Sequence, residues 1–395
     1  MAATSATAPA RSADRGARVR EILVTDWGFV LALLVAFRVT LSMIGFILAQ
    51  HGVVRAPCFM GQPAPVMHTT GLAFELLGVW QRWDACWFES IAANGYPWQS
   101  GAVGFPPLYP LLMRLAATFL GSNLTLGGLI VSAAGYVLAM VGILRLVRED
   151  FGPGVARRTV VLISCFPTAH YFFLPYAESV FLALIVWTFW FARRGSWLAA
   201  GGLALLAGIT RSPALLLGLP LAWIAWQQWR SGRRLALAFL VPALPVLSFF
   251  AFNGYAKLIT GWSYSESLSV WQSVQIPPWE AVARSWRIIQ RTGNPIETIN
   301  LVLLGFATLV LLIGWRKLPF AYTLFLASQL LLIASRSSRI SPLSSTSRYL
   351  LMLFPLFIIL ALVLASPGKR TLWLAGSASL LGTLLIFYLF GFFVA

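Results

Sequence analysis

From Val24 to the C-terminus, runs of apolar residues alternate with short polar connections, and many runs approach the roughly 20 residues a bilayer-crossing helix needs. In lipid such a run can satisfy its backbone only within itself, so the pattern predicts helices throughout. Arginine and lysine gather in a subset of the connections: Arg11, Arg15, Arg18 and Arg20; Arg145, Arg148, Arg157 and Arg158; Arg193 and Arg194; Arg230, Arg233 and Arg234; Arg316 and Lys317; Lys369 and Arg370. Placing all of these on the cytoplasmic side obeys the positive-inside bias. It predicts eleven spans, at 27–50, 123–147, 158–176, 178–192, 197–210, 213–229, 235–256, 297–315, 319–335, 347–366 and 371–394. The N-terminus is then inside and the C-terminus outside.

Residues 51–122 and 257–296 become long outer loops, with a shorter one at 336–346. Within the first, the run from Phe105 to Gly121 would carry the Arg145–Arg158 cluster outside if it crossed. It is therefore expected to be an interfacial or re-entrant helix against the outer leaflet. Residues 1–24, rich in Ala, Ser, Thr and Arg, are expected to form a disordered basic cytoplasmic tail. The apolar run that follows is too long for a signal-peptide core and reads as an uncleaved first span. Residues 25–395 read as one transmembrane domain of an all-α polytopic membrane protein.

Composition agrees: 59% of residues are hydrophobic, 10% charged, and the mean hydropathy is +0.79. Soluble domains are nearer a quarter charged. The net charge of +17 is spread between spans rather than gathered into a patch, which argues against nucleic acid. Cys58 and Cys86 share an outer loop, where they either pair in an oxidising compartment or remain thiols. With Cys165 and three histidines they make no metal-ligand spacing.

The candidate chemistry starts at Arg82-Trp83-Asp84. In the helix expected from Gln81 to Ala93, Asp84 shares a face with Trp87, Phe88 and Ile91 while Glu89 points elsewhere, and Asn94-Gly95 ends the helix. A carboxylate among aromatic rings at a membrane surface has little water, which raises its proton affinity and suits it to act as a base. The plainer reading is an interfacial anchor paired with Arg82. Glu178, at the tip of a tight hairpin, either faces a helix dipole or serves chemistry, and these roles are compatible. Arg211, Arg348 and Arg114 lie on the outer side against the charge bias. A phosphate at headgroup level explains Arg211 and Arg348, and snorkelling explains Arg114. Arg38, midway along the first span, should face the bundle interior. In the second loop Trp271-Gln272 suit a sugar, whereas Trp279 and Trp286 suit an aromatic belt.

Five pieces in order resemble the PIG-V family of membrane mannosyltransferases, whose eukaryotic members add the second mannose of the GPI anchor and which has bacterial relatives. They are Arg82-Trp83-Asp84 with Ile91-Ala92-Ala93-Asn94-Gly95-Tyr96; Phe105-Pro106-Pro107-Leu108-Tyr109-Pro110; Phe166-Pro167-Thr168-Ala169 with Tyr176-Ala177-Glu178-Ser179; Ala207-Gly208-Ile209-Thr210-Arg211-Ser212; and Ser347-Arg348-Tyr349-Leu350 with Phe354-Pro355. The chain departs from the family at Pro-Tyr-Ala-Glu-Ser, commonly Tyr-Ser-Glu-Ser, and in its basic tail.

The resemblance implies a GT-C bundle in a bacterial plasma membrane, with its active site on the extracytoplasmic face. It also implies a polyprenyl-phosphate mannose donor and a glycolipid, glycan or protein acceptor. Asp84 looks like the base and Glu178 like a second catalytic acid that positions the acceptor or a metal. Arg211 and Arg348 look like donor-phosphate ligands. Arg82, Trp83, Tyr109, Tyr176, Trp271, Gln272 and Tyr349 are the substrate-binding candidates. No cofactor is implied beyond a divalent metal. The rival readings are a GT-C enzyme for another lipid-linked sugar, a lipid or sugar transporter or flippase, and a non-catalytic scaffold. A transporter's broken helices at mid-membrane are not in the pattern.

Overall fold

The computed structural model describes residues 10–52, 54, 58, 68, 70–233, 236–338 and 341–394, with the backbone alone for 10–24. Among the described residues the protein is a helical bundle. In chain order the α-helices are α1 (Ala10–Gln50), α2 (Gly71–Leu76), α3 (Asp84–Asn94), α4 (Leu108–Thr118), α5 (Leu124–Ser164), α6 (Glu178–Arg193), α7 (Trp197–Gly208), α8 (Gly218–Arg230) and α9 (Ala236–Leu240). They continue with α10 (Leu244–Thr260), α11 (Tyr264–Ser267), α12 (Pro278–Thr292), α13 (Pro295–Gly314), α14 (Phe320–Ser335), α15 (Thr346–Leu350), α16 (Phe354–Val363) and α17 (Pro367–Leu389). Two short strands, β1 (Ser273–Gln275) and β2 (Arg336–Ser338), pair antiparallel with Gln275 opposite Arg336.

Each of the eleven predicted spans contains helix. Five segments are long and apolar enough to cross a membrane: Thr25–Gln50, Leu124–Ser164, Ala236–Thr260, Pro295–Lys317 and Pro367–Leu389. The helix α4 has 11 residues, about 16 Å at 1.5 Å per residue, which is short of the roughly 30 Å of a hydrocarbon core. Its Tyr109, Met113 and Ala117 are buried while Leu111, Leu115 and Phe119 are exposed, giving it an apolar outer face.

Three boundaries differ from the sequence reading. The tail expected to be disordered is helical from Ala10, and residues 1–9 lie outside the described residues. Extending a helix already nucleated at the first span costs little for a segment of Ala, Arg and Glu. The connection expected between the second and third spans shrinks to a kink at Gly152, whose φ of 82° and ψ of 170° interrupt the helix just before Pro153. The span expected to reach Tyr176 stops at Ser164, and a 3-10 turn at Ala169–Phe173 replaces its end.

The helix α5 lies at the centre, packed against α1, α4, α6 and α16. Its glycines set how closely α6 approaches. A Cβ on Gly135 would stand 2.7 Å from the backbone nitrogen of Val180, so only glycine lets the first turn of α6 rest directly on α5. Arg38 points inward, its Nη1 donating to the Phe173 carbonyl at 2.8 Å and its guanidinium 4.8 Å from the Trp80 ring, as expected of a cation inside a span.

Candidate active site

Each side chain at the site is set by a local break in the chain. Trp83, with φ 52° and ψ −119°, occupies positive-φ backbone immediately before α3 and puts Asp84 at the first helical position. Such strain in a non-glycine residue persists only where its surroundings over-determine it. Ser345, at φ 66°, does the same before α15, which carries Arg348. The loop leading to Ser345 is tied to α13, where Glu297 accepts from Ser341 Oγ at 2.5 Å and from the Leu343 amide at 3.0 Å. Asn300 Oδ1 takes the Ser347 amide at 3.1 Å, and Thr168 Oγ1 donates to the Ser347 carbonyl at 2.8 Å.

These anchors bring together residues far apart in sequence. Arg348 Nη1 meets Asp84 Oδ2 at 2.6 Å, and Arg211 Nη1 meets Glu178 Oε1 at 2.5 Å. Arg348 Nε is 3.2 Å from the same Glu178 oxygen, within ion-pair range but without hydrogen-bond geometry. Arg336 donates from Nη1 to the Tyr349 hydroxyl. The guanidinium groups of Arg211 and Arg336 each lie 5.2 Å from the Tyr349 ring. Alongside opens a cavity of ≈ 410 Å³ whose walls include Asp84, Arg211, Arg336, Arg348, Tyr349 and Trp271. Aromatic rings of Trp83, Phe88, Phe105 and Phe393 form its apolar side.

The other expected residues divide by whether they reach this cavity. Trp83, Trp271 and Tyr349 line it. Glu178 does not; it is fully buried behind Arg211 and Arg348, so its effect on a substrate passes through them. The Asp84–Arg82 pair of the plainer, anchoring reading does not form; Asp84 pairs with Arg348, and Arg82 Nε donates to the Val79 carbonyl. Tyr109 packs away from the cavity, its hydroxyl 2.9 Å from the Gly128 carbonyl and 2.8 Å from Ser132 Oγ. Tyr176 is spent on the Arg82 carbonyl at 3.1 Å. Gln272 turns outward at φ 48°, exposed. Arg114, Trp279 and Trp286 are exposed, as surface anchors should be.

Two groups escaped the sequence reading. Arg336 lies on the side the topology calls outer, so the bias that singled out Arg211 and Arg348 applied to it equally. Glu89 is buried under the site, accepting from Gln81 Nε2 at 2.7 Å. Burial pushes its carboxyl up to about 7, with Gln81 and Thr125 opposing only in part. Cys58 and Cys86, left open as a pair, form a disulfide.

The carboxylates do not suit a divalent ion. Asp84 is engaged by Arg348, Glu178 is sealed behind two guanidinium groups, and the described residues contain no cluster of three metal-ligating side chains. An oxygen-liganded cation needs more free oxygens than one carboxylate offers.

The all-α bundle, with charges gathered around a cavity, shares its fold with a solved membrane protein. ArnT from Cupriavidus metallidurans, solved bound to undecaprenyl phosphate, matches with a TM-score of 0.53 at 14% identity, over 90% of this chain and 64% of that one. An oligosaccharyltransferase from Archaeoglobus fulgidus, in complex with zinc and sulfate, is a looser likeness at TM-score 0.40, with 12% identity over 89% of this chain and 52% of that one. No family model matches the chain. GPI mannosyltransferase 2 from two strains of Cryptococcus neoformans var. neoformans serotype D is 34% identical over 113 residues. That stretch is 26% of this chain and 26% of the yeast protein, about a quarter of the relatives' length.

Proposed function

We propose that this protein is a PIG-V-like membrane glycosyltransferase that moves mannose from a polyprenyl-phosphate donor to an acceptor hydroxyl on the extracytoplasmic side, with inversion at the anomeric carbon. One observation carries the reading: a carboxylate, Asp84, and three guanidinium groups face a single cavity in a GT-C-type bundle. Arg348 holds Oδ2 of Asp84, and Oδ1 makes no protein hydrogen bond among the described residues.

In the proposed step the acceptor hydroxyl gives its proton to Oδ1 as its oxygen attacks the anomeric carbon. The bond from that carbon to the phosphate oxygen breaks. Prenyl phosphate leaves, its charge taken up by the guanidinium groups, which lie in a site poor in water where such stabilisation is strongest. The aromatic wall suits the prenyl chain and a sugar face.

The polyprenyl donor is supported by ArnT, a fold neighbour that holds undecaprenyl phosphate. Mannose is supported by the partial likeness to GPI mannosyltransferase 2. A disulfide in the loop that carries Asp84 supports an oxidising, extracytoplasmic location. The acceptor hydroxyl is borne on a glycolipid, glycan or protein.

The test is incubation of purified protein with labelled polyprenyl-phosphate mannose and membrane glycolipid extracts, wild type beside Asp84→Asn. The variant keeps the shape and should lose about 10²–10⁴-fold in transfer rate. Transfer at the wild-type rate by a properly folded Asp84→Asn would remove Asp84 as the base.

A further inference from the structure

Three guanidinium groups and one carboxylate line the cavity, and Glu178 lies directly behind. Asp84 is taken by Arg348, and Glu178 by Arg211 with Arg348 alongside. Arg336 is left over. Among the described residues no carboxylate stands within ion-pair distance of it, and its hydrogen-bond partner is the Tyr349 hydroxyl. Arg336 is largely shielded from water on β2, and Tyr349 is 7% exposed. A guanidinium held out of water without a counter-charge is costly, and the structure retains one that opens onto the cavity.

We infer that Arg336, oriented by Tyr349, receives the donor's phosphate, and that the site is built for one negative charge. The inference rests on the glycosyltransferase reading and refines it. Two guanidinium groups are already neutralised by carboxylates, so the one unmatched positive charge fits a singly charged phosphodiester, as in a polyprenyl-phosphate sugar. A lipid pyrophosphate or a nucleoside diphosphate sugar brings more negative charge than the unmatched cation balances. Geometry agrees. Arg336 lines the cavity from β2, whose partner β1 follows Trp271, and Trp271 and Asp84 line the same cavity, so a phosphate on its planar fork has the aromatic ring and the carboxylate within one chamber.

The test uses the full-length protein in detergent with farnesyl methyl phosphate (a singly charged diester), farnesyl pyrophosphate and farnesol as probes. Three variants accompany wild type: Arg336→Gln, Arg336→Lys, and Arg114→Gln on the exposed face of α4. Wild type and Arg114→Gln should bind the farnesyl diester in preference to both other probes. Arg336→Gln should bind it about tenfold or more weakly, and Arg336→Lys should recover part of the loss, as expected when a charge is kept without its fork. Without ligand, Arg336→Gln should melt at or above the wild-type temperature, because an uncompensated cation has been removed. A purely structural Arg336 would instead leave a destabilised protein.

Arg336→Gln binding within about twofold of wild type overturns this inference and leaves the glycosyltransferase reading in place. Wild-type preference for the pyrophosphate overturns the single-charge match. Equal wild-type affinity for farnesol and the farnesyl diester overturns both the inference and the reading beneath it.

Discussion

The helix α6 has an ionic cluster at each end, about 24 Å apart for its 16 residues. At its C-terminus Arg193 holds Asp150 through two contacts of 2.5 Å, with Tyr322 donating to the same carboxylate at 3.0 Å, and Arg194 pairs with Glu149. Acids and bases there match one to one and are partly exposed. At its N-terminus Glu178 is sealed from water, shares its charge between two arginines, and leaves its Oε2 without a hydrogen bond. Around it Trp83 Nε1, Ser347 Oγ and Arg348 Nε also lack hydrogen-bond partners. The same residue types thus form a closed fastening at one end and an open, incompletely satisfied arrangement at the other.

The largest expected effect separates the two ends directly. Glu178→Gln leaves two buried guanidinium groups short of their counter-charge and should destabilise by about 3–5 kcal/mol. Asp150→Asn, in a partly exposed and bidentate pair, should cost about 1–2 kcal/mol. Denaturant unfolding in detergent gives both values, and donor KM at matched protein should change only for Glu178→Gln. Equal costs with unchanged KM would erase the distinction between the ends.

Glu89 sharpens the contrast by pH. Every acid of the C-terminal cluster has a cation; Glu89, beneath the site, has none within ion-pair distance among the described residues, and burial raises its carboxyl from 4.5 to about 7. The folded protein then binds more protons than the unfolded chain between those values. Stability should fall as pH rises from about 4.5 to 7 and be flat above. Glu89→Gln removes this slope. It should gain up to about 3 kcal/mol over wild type at pH 8 and nothing at pH 4. Parallel stability curves for the two proteins from pH 4 to 8 would mean that Glu89 stays ionised in the fold.

How legible this was in the sequence depends on what carried the signal. Asp84 and Glu178 stood out as carboxylates close to lipid, and Arg211 and Arg348 as arginines that the expected topology places against the positive-inside bias. Their pairing did not, since Asp84 and Arg348 are 264 positions apart and only the closed bundle brings them together. Arg336 was missed because it read as the polar start of a loop. Glu89 was missed because one helix's periodicity shows which way it faces, not that α5 covers that face. Tyr109 and Tyr176 share motifs with the site yet serve packing, because each hydroxyl is consumed by a nearby carbonyl. Span positions followed from hydropathy. The break at Gly152 and the 3-10 turn after Ser164 did not, being set by how the helices pack.

The seam between α5 and α6 offers the finest test, because it has a glycine towards each end. At Gly135, near Glu178, an added methyl would meet backbone: the Val180 nitrogen at 2.7 Å and the Ser179 carbonyl carbon at 3.0 Å. At Gly142, further along, it would meet only side-chain atoms, of Val186 at 2.9 Å and Trp187 at 3.1 Å, so no backbone has to move. Gly135→Ala should therefore destabilise by about 1–3 kcal/mol and raise donor KM by displacing the first turn of α6. Gly142→Ala should be near neutral, since the gain of about 1 kcal/mol in helix propensity offsets a modest repacking cost. Unfolding and KM of the two variants, measured side by side, check this. If Gly135→Ala lowers stability but leaves KM unchanged, the placement of Glu178 does not depend on that seam, and the loops carrying Arg211 and Arg348 must hold the site unaided.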